Sequence, residues 1–343
     1  MGSSRRGVPH LNRGIALLSL VGLAVFAVAG CSSTSKASNS GKLSLVAYSV
    51  AKPAYDALQV AFAKTAAGRS VSWASSYGAS GTQSQAVRNG QAADYVAFSL
   101  APDLTKLVPK FVAPDWNAGP TKGMVSYSVV VIVVRKGNPK GIRGWDDLIK
   151  PGTRIVTPDP GSSGSAKWNI LAAYSHVVQD AGTDAQAASY LKKFFDNVVS
   201  KPSSGSTATT TFLNGTGDVL ISYENEAIAA RQKGQPLDYV VPDESLLIEN
   251  PAAVTKTAPQ QANDFLTFVH SADGQQILAS HGYRPVLTGV AVGTVRGAND
   301  PAHPFPSVHK LETIAQLGGW TAVNAKFFDK TNGIVTKIES GQA

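Results

Sequence analysis

Six consecutive β-branched residues, Val129-Val130-Val131-Ile132-Val133-Val134, make up the most apolar stretch beyond the N-terminal segment. Branching at Cβ restricts χ1 and disfavours a helix, and an element that is apolar on both faces must be covered on both. This predicts a buried strand over Val125–Val134, ended by Arg135-Lys136-Gly137-Asn138-Pro139. The chain must then wrap layers around that strand. Its 343 residues suffice for two cores, since one core rarely grows beyond ~250 residues.

The flanking pattern alternates strands and helices. Strands are expected at 42–50, 71–74 and 95–98, with helices at about 53–67 and up to Asn89 and a turn at Tyr77–Gly81. Beyond the apolar strand come a short helix at Trp145–Ile149, a strand at 154–157 and helices at 164–180 and 184–197. A Ser/Thr/Gly-rich turn at 203–211, a strand at Val219–Tyr223 and a helix from Glu224 follow. After a last strand at 238–241 the remainder reads as helical, with Phe265, Leu266 and Val269, then Ile277 and Leu278. This is an α/β chain with a mainly parallel sheet, in two lobes with a ligand cleft between them.

The N-terminus reads as an address. Met1–Arg13 is basic, Gly14–Ala29 is apolar but short for a spanning helix of ~20 residues, and small residues precede Cys31. An export signal over 1–30 is expected. Val28-Ala29-Gly30-Cys31 resembles the bacterial lipobox, so the single cysteine of the chain is expected to carry lipid. Residues 31–41 (CSSTSKASNSG) then serve as that cysteine and a polar tether. Ser4-Arg5-Arg6 hints only weakly at twin-arginine export. The protein is expected outside the cytoplasm, held to the cell membrane through Cys31.

Without residues 1–30 the chain carries 28 bases against 23 acids. This excess is too small for a nucleic-acid-binding surface. One cysteine excludes disulfide frameworks and Cys-based zinc sites. The six histidines are scattered, with no His pair at ligand spacing on one helix face, so no metal or cofactor is expected. Walker and Gly-x-Ser-x-Gly motifs are absent.

The chemistry lies instead in two turns that precede helices, Gly78-Ala79-Ser80-Gly81-Thr82-Gln83 and Asp159–Ala166, and in a third Ser/Thr/Gly-rich turn, Ser203–Thr211, that precedes Phe212. A helix start leaves up to four backbone N–H groups unpaired and carries roughly +0.5 of a charge, so it attracts anions. Ser and Gly also form ordinary N-caps, so one such turn means little; three in facing lobes indicate an oxyanion site. None contains Arg, the nearest base is Lys167, and Asp159 is the only acid. Neutral donors suit a fully ionised oxyanion, whereas protonated phosphate requires an acceptor. Burying a dianion without a counterion would cost tens of kcal/mol unless many aligned amides replace its water.

These words, with several others in order, resemble the sulfate-binding proteins of bacterial sulfate/thiosulfate ABC importers over nearly all of the chain beyond the signal. The others are Val133–Pro139, Trp145–Gly152, Thr157-Pro158, Trp168-Asn169, Gly217–Ile221 with Glu224-Asn225-Glu226, Gly282-Tyr283-Arg284-Pro285 and Gly318-Gly319-Trp320. The resemblance implies a two-lobed type II periplasmic-binding fold that closes by a hinge over dehydrated sulfate. Lobe I would comprise 42–126 plus 246–343, and lobe II 127–245.

Carried over by position, the ligand residues are Ser80, Ser163 and Gly164, with Ser165 where the family commonly has Gly. Gly205 is the expected donor of the third turn, with Ser206 and Thr207 beside it. Three positions depart from the family: Ser49 replaces an Asp, Tyr223 replaces a Trp whose indole meets the anion, and Ser206 stands near a bracing Arg. The expected function is therefore a monomeric, non-enzymatic receptor that delivers sulfate to a membrane-embedded ABC permease. Thiosulfate, phosphate or molybdate as ligand remain open, as does an ester hydrolase built on Ser163, which lacks an evident base.

Overall fold

The computed structural model describes residues 41–342. The expected export signal, Cys31 and the expected tether as far as residue 40 lie outside the described residues. Among the described residues the strands are β1 (Lys42–Tyr48), β2 (Ser72–Gly78), β3 (Tyr95–Ala97), β4 (Met124–Arg135), β5 (Ile155–Val156), β6 (Val198–Ser200), β7 (Val219–Tyr223), β8 (Leu237–Val240), β9 (Glu244–Val254) and β10 (Lys310–Glu312). The first helices are α1 (Lys52–Phe62), α2 (Ser80–Arg88), α3 (Ala101–Thr105), α4 (Gly164–Gln179), α5 (Asp184–Asp196) and α6 (Gly205–Leu213). They are followed by α7 (Glu224–Gln232), α8 (Gln260–Val269), α9 (Ala272–Ser280), α10 (Gly319–Phe328) and α11 (Ile334–Glu339). None of these helices is long and apolar enough to cross a membrane.

The strand order is β2-β1-β3-β9-β4-β7-β5-β6, with β8 beside β4 and β10 beside β9. The apolar run becomes β4, and its alternate side chains feed two separate cores. Val130, Ile132 and Val134 join one cluster, while Val129, Val131 and Val133 join another. Burial contributes roughly 1.5–3 kcal/mol for each such side chain.

The sheet is less parallel than the sequence suggested. The flanking pairs β1·β2, β1·β3, β5·β6 and β5·β7 are parallel, but β4 runs antiparallel to β7, β8 and β9, and β3 runs antiparallel to β9. The reason is topological. β4 carries the chain from the first half of the sheet to the second and β9 brings it back, so the two must point in opposite directions.

β9 itself corrects an expectation, since that segment was read as leading into helices. Its pattern is broken by Glu249-Asn250-Pro251, and Pro251 lacks the N–H that a strand interior normally uses. The register shift between Met124 and Ser126, opposite Pro251 and Asn250, accommodates it as a bulge. The Ser/Thr/Gly-rich turn is likewise helical, as α6. β-Branched Thr weakens helix propensity, but the Ser204 side chain caps the helix and Ala208, Thr209 and Phe212 are buried against the body.

Candidate functional site

The starts of α2, α4 and α6 are held by interactions that differ in each case. For α4, Trp168 donates through Nε1 to the Ser99 carbonyl at 2.9 Å, and Asn169 donates through Nδ2 to the Ile221 carbonyl at 2.8 Å. For α6, Ser204 Oγ accepts the Thr207 amide at 3.2 Å. The turns before these two helices are tied together by Asp159 N–H to Pro202 carbonyl at 2.8 Å and Ser162 Oγ–H to Ser203 carbonyl at 2.8 Å. The start of α2 approaches from the other half of the sheet, where the Gly81 amide donates to the Ser162 carbonyl at 3.2 Å.

At the heads of α4 and α6 the backbone retains donors. Among the described residues, no hydrogen bond engages the amides of Gly164, Ser165, Gly205 or Ser206. Gly164, Ser165 and Gly205 are buried. Buried N–H groups without a partner are rare, because each forfeits its water without compensation. Three such residues, with the half-buried Ser206, leave a cluster of unpaired donors at two adjoining helix starts, the kind of feature that attracts anions.

The glycines let the elements close in. A Cβ at Gly164 would lie 2.6 Å from Ser99 Oγ, and one at Gly205 would lie 2.8 Å from Val50 Cγ2 and 2.9 Å from Ser165 Oγ. The hydroxyl of Tyr223 is 2.6 Å from Ser99 Oγ. Ser80 Oγ accepts the Ser99 amide at 3.1 Å and donates to Asp103 Oδ2 at 2.7 Å. Ser80, Gly164 and Tyr223 thus meet at Ser99, and a side-chain hydrogen bond between Tyr223 and Ser165 extends the chain of contacts to Gly205.

The remaining expected residues lie to either side. Ser49 and Ser206 line a cavity of about 490 Å³ together with Val50, Tyr77 and Glu226. Ser163 lies with Gly164, Asp103 and Lys167 on a smaller cavity of about 60 Å³, and its hydroxyl makes no hydrogen bond among the described residues.

Sequence reasoning missed Ser99 and Asp103, and it gave Glu226, part of the resembling word Glu224-Asn225-Glu226, no place in the site. Ser99 follows the end of a parallel strand, the place where α/β ligand sites gather, and that position was the available signal. Asp103 gave none, and for Glu226 the motif did not show its place, because only the fold brings these residues to Ser80 and Gly205.

Burial shifts the titratable groups here towards their neutral forms. Tyr223 is pushed well above the ordinary tyrosine value by desolvation, so its hydroxyl stays protonated and able to donate. Desolvation also raises Glu226, against the hydrogen bond from Ser222. Lys167 is lowered to about 8, chiefly by burial, and donates to Asn324 Oδ1 at 3.0 Å. Lys106 is paired with Asp103 at 2.9 Å. Among the described residues, the unpaired donors here are amides and hydroxyls, while the nearby ammonium groups of Lys167 and Lys106 are engaged by Asn324 and Asp103.

A curled α/β sheet with helix starts meeting from its two halves defines a class of binding protein. The chain belongs to the bacterial extracellular solute-binding protein family, whose model matches residues 43–284. Within it, the chain is 36% identical over 323 residues to the sulfate-binding protein of Synechococcus elongatus, covering 89% of this chain and 90% of that one. It is 34% identical to the sulfate-binding protein of Escherichia coli, covering 82% and 88%, and 32% identical to the thiosulfate-binding protein of Pseudomonas aeruginosa, with the same coverage.

Among solved structures, the sulfate-binding protein SubI from Mycobacterium tuberculosis superposes with a TM-score of 0.79 at 44% identity, covering 84% of this chain and all of that one. The periplasmic binding protein AfuA from Actinobacillus pleuropneumoniae shares the fold, with a TM-score of 0.58 at 20% identity over 72% of this chain and 85% of that one. The two-lobed α/β periplasmic-binding fold is the architecture of this protein.

Proposed function

We propose that this protein captures sulfate outside the cytoplasm and passes it to an ABC importer, without performing catalysis. The observation that carries this reading is the set of unpaired amides at Gly164, Ser165, Gly205 and Ser206. Helix starts supply partial positive charge, and amides can only donate, so the surface matches a ligand that can only accept. Ser80 Oγ–H would turn from Asp103 to the anion, Tyr223 would donate from the opposite side, and Ser163 would add its hydroxyl. Ser49 and Ser206 would form the rim. The 36% identical sulfate-binding relative and the 44% identical SubI support the choice of ligand.

In this reading lobe I comprises 42–126 plus 246–343, lobe II comprises 127–245, and β4 and β9 act as the hinge strands. Closure presents both lobes to the permease. Lipid on Cys31 would hold the receptor, as a monomer, at the cell membrane. Isothermal calorimetry with sulfate, thiosulfate, molybdate and phosphate across pH 5–8 tests the proposal. Sulfate should bind most tightly, and phosphate, which carries at least one proton throughout this range, should bind weakly. Failure of sulfate to bind overturns the proposal; tighter thiosulfate binding would assign the site to the ligand named for the Pseudomonas aeruginosa relative.

A further inference from the structure

At the far end of α4, about 18 Å from Gly164 at 1.5 Å per residue, three metal-ligating side chains converge. These are His176, Asp180 and Glu244, each with one ligand atom within 4.8 Å of the others. We infer that they form a binding site for a divalent first-row transition-metal cation of the zinc(II) class, separate from the anion cleft.

The geometry around the imidazole carries this inference. His176 is buried, with Nδ1 3.1 Å from Glu244 Oε2 and Nε2 3.2 Å from Asp146 Oδ1. The Tyr190 ring stands edge-on at 5.5 Å and fixes the orientation. A neutral imidazole has one N–H. If Asp146 takes it at Nε2, the Nδ1 lone pair faces a carboxylate oxygen, and a cation between them removes the repulsion. The result is the arrangement of metal, histidine and outer carboxylate that commonly tunes such ligands.

Ligands about 2.0–2.2 Å from a tetrahedral ion lie ~3.4 Å apart, so the exposed Asp180 needs to swing only slightly. Asp180 and Glu244 bring two negative charges, and Lys310 already bonds to Asp180 and lies 3.5 Å from Glu244 Oε1. That lysine is on the short β10 and partly exposed, so an incoming dication can displace it. The imidazole nitrogen selects zinc, cobalt, nickel or copper over calcium or magnesium, which prefer oxygen shells. In the sequence, His176 and Asp180 are one helical turn apart, a spacing invisible to a search for paired histidines. The competing arrangement is an imidazolium that donates from both nitrogens and binds no metal.

The test uses the tag-free, EDTA-stripped chain in sulfate-free chloride buffer at pH 7.5, titrated with ZnCl2 by calorimetry and with CoCl2 by visible absorption. One equivalent of zinc should bind at micromolar concentration and raise the melting temperature, while MgCl2 and CaCl2 should not. Cobalt should develop the absorption bands of a tetrahedral ion. Asp180→Asn, at a half-exposed position, should weaken zinc binding at least about 10-fold while leaving sulfate affinity unchanged, which reports intact folding. His176→Ala should abolish zinc binding and Lys310→Met should tighten it. No stoichiometric zinc uptake, or uptake unaltered in Asp180→Asn, overturns the inference.

Discussion

The hydroxyl of Tyr223 lies 2.6 Å from that of Ser99, joining the end of β7 to the loop after β3 across the two halves of the sheet. Both residues are buried, at 0% and 1% exposure. Ser99 is also the hub of the contacts at this junction. Its amide donates to Ser80 Oγ, and its carbonyl accepts from Trp168 at 2.9 Å and from Asn250 at 3.3 Å. The sequence departs from the resembling family at Tyr223, and the departure falls where the halves meet.

Tyr223→Phe retains the ring and deletes only the hydroxyl. It leaves Ser99 Oγ with one partner fewer and removes a donor from the proposed anion shell. Sulfate affinity should fall by about 1.5–3 kcal/mol if the phenol bonds the anion, the range for a hydrogen bond to a charged group. Calorimetry reads this directly, and an unchanged Kd would remove Tyr223 from the shell.

Gly164→Ala separates closure from folding. The added methyl would sit 2.6 Å from Ser99 Oγ, 2.8 Å from its Cβ and 2.9 Å from Leu100 Cγ, all on the opposing half. Ala is a better helix residue than Gly by about 0.5–1 kcal/mol, so the open form should tolerate it. Forcing a methyl into a closed junction costs about 1–3 kcal/mol, or roughly 5- to 150-fold in sulfate affinity. Scattering in saturating sulfate should show a more extended molecule than the wild type. Wild-type affinity in this variant would mean that the junction is not the closing surface.

Much of this arrangement was legible before any coordinates. The run Val129–Val134 could only be a buried strand, and the Gly/Ser words before α2 and α4 marked two of the three helix starts. β9 was hidden because Pro251 and two polar residues interrupt its pattern, and a bulge in a neighbouring strand cannot be read from sequence. The contacts of Ser99, Asp103 and Glu226 depend on which strand ends the topology brings together, which is tertiary information.

Arg284 and Glu224 form a buried ion pair with two hydrogen bonds, Nε to Oε2 at 2.7 Å and Nη2 to Oε1 at 3.0 Å. Glu224 has no exposure; burial pushes its carboxyl up while the guanidinium pulls it down. Arg284→Met strands that carboxylate and should cost about 3–5 kcal/mol. At roughly 2–4 °C per kcal/mol for a chain of this size, the melting temperature should drop by about 6–20 °C. The double variant with Glu224→Gln should recover part of the loss. A single variant that melts within a degree of wild type would show that the pair is not structurally important.

Glu226 sets the expected pH dependence. Its carboxyl is buried, accepts the Ser222 hydroxyl at 2.7 Å, and lies 3.4 Å from where a Cβ at Gly205 would stand. Desolvation raises its folded pKa above the unfolded value of about 4.3. The folded state therefore holds this proton more tightly than the unfolded chain. The resulting stabilisation is fully present below the unfolded pKa and is lost as pH rises through the folded one. Ionisation would also place a negative charge beside amides that are proposed to meet an anion. Glu226→Gln mimics the neutral acid, so denaturant melts of the two proteins should coincide near pH 4 and diverge at higher pH, with the variant more stable. Sulfate affinity should decline with rising pH in the wild type and stay level in the variant. Parallel pH profiles for the two proteins would show that Glu226 keeps the same charge throughout and that the dependence arises elsewhere.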